Sequence, residues 1–162
     1  MFLDSSSLRS SVASHAKTLG YEPRSATASK AVVDVVLTTT SATKTMPAGT
    51  AFTTTVDGVS YQFVTIADVT SSIVGNIVTF KNTDVYEGTY VTTKYTVNTS
   101  DASQRFLLAD NRADTTTLTV KVQNSSTDTT STTYTKATDI TQLTSSSTVY
   151  YLQETENLGK RK

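Results

Sequence analysis

The chain has no cysteine and no tryptophan, and in 162 residues it holds only two prolines, six glycines and one histidine. Without cysteine there is no disulfide framework, no thiolate metal site and no thiol nucleophile. Six glycines are scattered too thinly to build a phosphate-cradling loop, and no Gly-x-Ser-x-Gly elbow marks a serine hydrolase. No apolar run approaches the roughly 18 residues that cross a bilayer. The N-terminus lacks the basic stretch and long apolar core of a signal peptide. These features predict a soluble protein outside the general secretory route. Fourteen basic residues balance fourteen acidic ones, leaving a net charge of zero. Nothing in that balance provides the electrostatic footprint of a nucleic-acid or anionic-membrane binder.

What is present is threonine and serine, together roughly a third of the residues, against an apolar fraction of 36%. Threonine is β-branched and suits a strand with one wet face. Apolar residues spaced as strands and a zero net charge argue against disorder. The length fits one domain with at most a small appendage. The predicted class is mainly β, an antiparallel β-sandwich or open barrel with one short N-terminal amphipathic helix. Residues 1–24 are expected to form the helix and a linker, and residues 25–162 a Thr-rich β domain.

In the helix, Leu8, Val12, Ala16 and Leu19 recur about one turn apart. Asp4 and Ser5 suit the N-cap, Gly20 the left-handed position after the last turn, and Pro23 bars continuation. The Leu8, Val12 and Leu19 stripe is nominated as an interface surface.

Among the strands, Ala31, Val33, Val35 and Leu37 share one face while Val32, Asp34 and Val36 share the other. This pattern predicts a strand buried on nearly both sides. Asp57-Gly58 signals a two-residue type I′ turn. It sets Val56 opposite Val59, Thr54 opposite Tyr61 and Phe52 opposite Phe63, all on one face of a hairpin. Gly75-Asn76 predicts a second turn or a bulge within Ile73 to Phe80. Alternation predicts strands over Thr89–Val97 and Thr115–Gln123, and a last strand over Val149–Leu152. Phe106, Leu107 and Leu108 form an apolar knot, Asn124 to Thr133 reads as a mobile loop or a solvated edge, and Ile140 with Leu143 suits one helical turn.

Candidate chemistry is sparse. His15 sits near the helical stripe with no identifiable orienting partner, so a boundary position on a docked helix is favoured over a proton-transfer role. Asp110, Asn111, Arg112, Ala113 and Asp114 gather oxygen ligands but lack the order and closing Glu of a calcium loop. Glu154 and Glu156 share a strand face, whereas a glycosidase pair faces across a cleft from different elements. Asn98-Thr99-Ser100 and Asn124-Ser125-Ser126 match the glycosylation pattern but mean nothing without secretion. Lys160, Arg161 and Lys162 make a basic tip too short for a nucleic-acid arm. The reading predicts no enzyme, cofactor, metal site, nucleic-acid partner, membrane partner or small-molecule substrate.

Three segments carry a family resemblance. The first runs Phe2-Leu3-Asp4-Ser5-Ser6-Ser7-Leu8-Arg9 and on through His15-Ala16 and Leu19-Gly20-Tyr21-Glu22-Pro23. The second is Met46-Pro47-Ala48-Gly49-Thr50-Ala51-Phe52 with the Asp57-Gly58 hairpin and Tyr61-Gln62-Phe63. The third is Ser147-Thr148-Val149-Tyr150-Tyr151-Leu152-Gln153-Glu154. In this order they resemble the baseplate wedge subunit of T-even-type contractile-tailed phages and the wider baseplate J-like family. Members of that family are longer, so the resemblance implies a fragment or a naturally truncated form. It also implies structural work in the virion after assembly in the host cytoplasm. The partners it implies are a second copy and other baseplate wedge proteins, forming a ring that relays the contraction trigger. The runner-up is an extracellular adhesin or carbohydrate-binding β-sandwich, suggested by the Thr, Ser and Tyr content. A hydrolase would need convergent polar residues in a cleft.

Overall fold

The computed structural model describes residues 9–21, 25–108, 110, 112–139, 141 and 143–153. The protein is mainly β and its strand pairs are antiparallel, with one parallel exception. Two compact units are present: Thr27–Ala113, and the residues before 27 together with those from 114 onward. The expected single β domain over 25–162 is therefore divided near Ala113. The segment after it makes its own small sheet and leaves the ladder of the first unit.

In the Thr27–Ala113 unit, strands β1 (Lys30–Thr38), β2 (Thr43–Met46), β3 (Ala51–Val56), β4 (Val59–Thr65), β5 (Val69–Val74) and β6 (Ile77–Glu87) form one sheet. Two tight turns organise it. Asp57 and Gly58 adopt φ of 50° and 79°, and Gly75 and Asn76 adopt 59° and 66°. This is the positive-φ pair that a type I′ turn requires. Val56 therefore pairs with Val59, Thr54 with Tyr61 and Phe52 with Phe63, as the sequence predicts. The Gly75-Asn76 turn joins β5 to β6, pairing Val74 with Ile77.

β6 is the spine. β5 lies along its N-terminal half and β4 along its C-terminal half, while β1 runs along its other side from Lys30↔Tyr86 to Thr38↔Ile77. The β1–β6 register shifts between Val33 and Val35. There Asn82 takes φ of 50° and its amide donates to Asp34 Oδ1 at 2.7 Å. A carboxylate thus satisfies the amide that the bulge removes from the ladder. The core beneath consists of Met46, Val78 and Phe80, packed by Val35, Phe52, Val69 and Ile73. Fully burying side chains of this kind stabilises by roughly 1.5–3 kcal/mol each.

The turn from β2 into β3 is a polar corner. Thr65, buried on β4, donates from Oγ1 to Pro47 O at 2.8 Å and accepts from Thr50 N at 3.1 Å. Gly49 N donates to Thr65 O at 2.8 Å, and Ala48 N to Asp68 Oδ1 at 2.8 Å. Gly49 has φ of 84°, and a Cβ there would stand 3.3 Å from the Tyr90 ring. Backbone conformation and close approach both call for glycine at this position.

Several expectations are corrected. β1 is not buried on both sides: Val32 and Val36 are 58% and 64% exposed, because no layer covers that face among the described residues. Thr89–Val97 forms no strand. Its residues are exposed and reach no sheet edge, and Gln104 ties the segment instead, donating to Thr96 O and accepting from Asn98 N. In Thr115–Gln123 only Val120–Val122 pairs as β7, since Asp114 caps a 3₁₀ turn over Thr115–Thr117. β8 (Thr132–Lys136) pairs antiparallel with β7 and parallel with β9, which covers Val149–Tyr150 alone.

The N-terminal helix α1 spans Arg9–Thr18. Tyr21 N closes it on Ala16 O at 2.9 Å, with Gly20 at φ of 73°. The amphipathic stripe is not what the described residues present. Val12 is half-buried and Ala16 buried, but Leu19 is 78% exposed in the turn beyond the last helical residue. Polar residues dominate the rest of the helix.

Candidate interface surface

Of the nominated stripe, Val12 lies within α1 and Leu19 in the turn that follows it. Leu8 lies outside the described residues, Val12 is half-buried and Leu19 is exposed. His15 is half-buried within α1, where its carbonyl accepts from Thr18 Oγ1 at 2.6 Å. Glu154, Glu156, Ile140 and the terminal Lys160, Arg161 and Lys162 also fall outside the described residues.

Five described aspartates between Asn98 and Thr141 bind their own loops. Asp110 accepts from Arg112 N at 2.8 Å and pairs with its guanidinium at 3.3 Å. Asp114 accepts from Thr116 N and Oγ1. The hydroxyl and amide of Ser103 hold Asp101 below the ordinary carboxylate range, and those of Thr130 do the same for Asp128. The amide and hydroxyl of Thr141 lower Asp139 likewise. Each repeats an Asx turn, in which a carboxylate replaces backbone as the acceptor. Among the described residues, no three acidic or histidine side chains converge as a metal would require.

The larger feature is apolar. Ala31, Val33 and Val35 on β1, Phe52 on β3, Phe63 on β4 and Val85 on β6 line an open cleft of about 450 Å³. Opposite that face, Val32 and Val36 are exposed on β1, and Ile77 and Val74 are exposed at the β5–β6 turn. The cross-strand register places Val36 beside Thr79, Thr38 beside Ile77 and Ile77 beside Val74, so these side chains share one surface. Contiguous exposed apolar residues of this kind mark interaction surfaces more often than isolated ones do. Sequence reading missed this surface. The signal is the Val-rich run of β1, whose pattern predicts cover on nearly both faces.

No helix among the described residues is long and apolar enough to cross a membrane. Compared with protein-family models the chain matches none, and comparison with curated proteins likewise gives no match.

Proposed function

We propose that the chain is a structural module of a contractile-tail baseplate wedge. In this reading it joins neighbouring wedge proteins and a second copy around the tail hub, and it moves as a body when the contraction trigger passes. The observation that carries the reading is the ordered set of three resembling segments. The middle one has a definable physical role here. Its Pro-Ala-Gly-Thr run is the corner in which Thr65 bonds both Pro47 and Thr50 and where Gly49, at φ of 84°, lies close against Tyr90. Exposed apolar surface on β1 and the β5–β6 turn also suits a module that is covered on assembly. At the finer level the sheet works as one layer of an open barrel or sandwich, and Val12 and Leu19, with Leu8, are the side chains that meet a neighbour.

The test is co-expression of the tagged chain with the tail proteins encoded beside it, followed by affinity purification and electron microscopy. The expected result is a stoichiometric wedge complex that Val12→Asp with Leu19→Asp disrupts. A chain that purifies alone, and instead binds an immobilised glycan, overturns the reading in favour of an adhesin.

A further inference from the structure

We propose that the second, unpaired edge of β1 joins two copies of this chain as an antiparallel continuous sheet, with Val32 on the two-fold axis. This deepens the second-copy part of the proposed function and rests on that reading for its setting, while the pairing itself is argued from the edge.

The direction of the backbone groups follows from the ladder. Glu87 N donates to Ser29 O and Thr39 N to Asn76 O. Antiparallel hydrogen-bonded pairs recur every second residue. Odd-numbered residues of β1 therefore aim N–H and C=O at β6 on both sides of the bulge. Lys30, Val32, Asp34, Val36 and Thr38 aim theirs away, and among the described residues no strand meets them. A row of unmet donors and acceptors along nine residues is recognised by another extended backbone. The opposite sheet edge differs. On β3 the outward positions include Thr53 and Thr55, which are polar and exposed.

The side chains select the occupant and its register. The β1 strand carries two charges, Lys30 and Asp34, both on the outward-bonding set. An axis at Val32 places each Lys30 opposite Asp34 of the other copy. An axis at Asp34 opposes two carboxylates, and an axis at Val33 sets Asp34 against Val32. Opposite charges directly across a ladder stabilise and like charges destabilise, so charge complementarity favours the first register. Lys30 Nζ bonds Asp84 at 2.8 Å while its side chain stays half exposed, leaving donors for a second carboxylate. Asp34 uses Oδ1 for the bulge amide, and its second oxygen has no partner among the described residues. Isologous pairing of this kind closes after two copies.

The absence of cysteine makes the test direct. A hydrogen-bonded antiparallel pair holds its Cα atoms about 5.5 Å apart, within the range a disulfide spans. In the full chain, Val32→Cys should oxidise to a covalent dimer, and Val36→Cys at matched exposure should not. Sedimentation of the unaltered chain should show a concentration-dependent dimer. Val32→Pro, which removes an amide that β6 does not use, should weaken it by roughly tenfold or more. Asp34→Asn, which keeps an acceptor for Asn82, should weaken it by less. Equal cross-linking at Val32 and Val36, fastest cross-linking for Asp34→Cys, or a monomer at all concentrations overturns the proposal. Those results concern the chain alone, so they can fail while co-purification with tail proteins succeeds, and the reverse.

Discussion

Between Lys30 and Glu87 the backbone is held chiefly by other backbone, whereas between Asn98 and Thr141 it is held largely by side chains. The first region has two type I′ turns, continuous ladders and the Met46, Val78 and Phe80 core. The second is organised by Asp101, Asp110, Asp114, Asp128 and Asp139, each accepting from an amide two residues on. Apolar burial is cooperative because a displaced side chain takes its neighbours' contacts with it. An Asx turn is local and fails alone. The sheet should thus respond to core changes as a whole, and the loops to solvent conditions one at a time.

The strongest break in that contrast is Phe80→Ala. The side chain is 4% exposed in the centre of the sheet, and such truncations cost roughly 3–5 kcal/mol. Urea unfolding should show this loss in the transition of the sheet, while the shifts of the Asx amides change independently of that transition. Thr65→Val should come next. It keeps the shape but removes the Thr65 hydroxyl from Pro47 O and Thr50 N, which keep the bonds that Thr50 makes to Pro47 O, a cost of about 0.5–1.5 kcal/mol for each of the two lost bonds. Hydrogen exchange should quicken at Gly49 and Thr50 before it quickens elsewhere in β3.

Acid should give the smallest effect and act in the opposite region. Asp101, Asp128 and Asp139 have folded values lowered from the ordinary 3.8. Their contribution is full above that value and fades as pH falls through the lowered ones. NMR of the amides of Ser103, Thr130 and Thr141 should show those turns loosening in acid, with the Val78 and Phe80 signals unmoved. Simultaneous loss of both regions would show that they are coupled.

The same contrast explains what could be read in advance. Asp57-Gly58 was legible because the required φ values are local and the pairing of Val56 with Val59 follows from the turn. The strand predicted over Thr89–Val97 failed because alternation describes one strand and says nothing about whether an edge is available. β1 was read as doubly covered for a related reason: Val32 and Val36 are as apolar as core residues, and periodicity does not distinguish an edge strand from a central one. The Leu8, Val12 and Leu19 stripe was counted through Gly20's turn, past the last helical residue. The apolar cleft brings Val33 to Phe52 and Phe63 across four strands, a convergence that no single window of sequence displays.

The long partnership of β1 with β6 also has a consequence in time. β1 is translated first, but the strand that pairs with it begins only at Ile77. At roughly 5–20 residues per second, several seconds separate the two on the ribosome. The β3–β4 and β5–β6 hairpins close on the order of microseconds once their turns emerge. A nascent Val-rich strand thus waits while the β3–β4 hairpin is already formed. Co-translational chaperone contact should concentrate on Ala31 to Leu37, and crowding of nascent chains on one message should favour pairing there before β6 arrives.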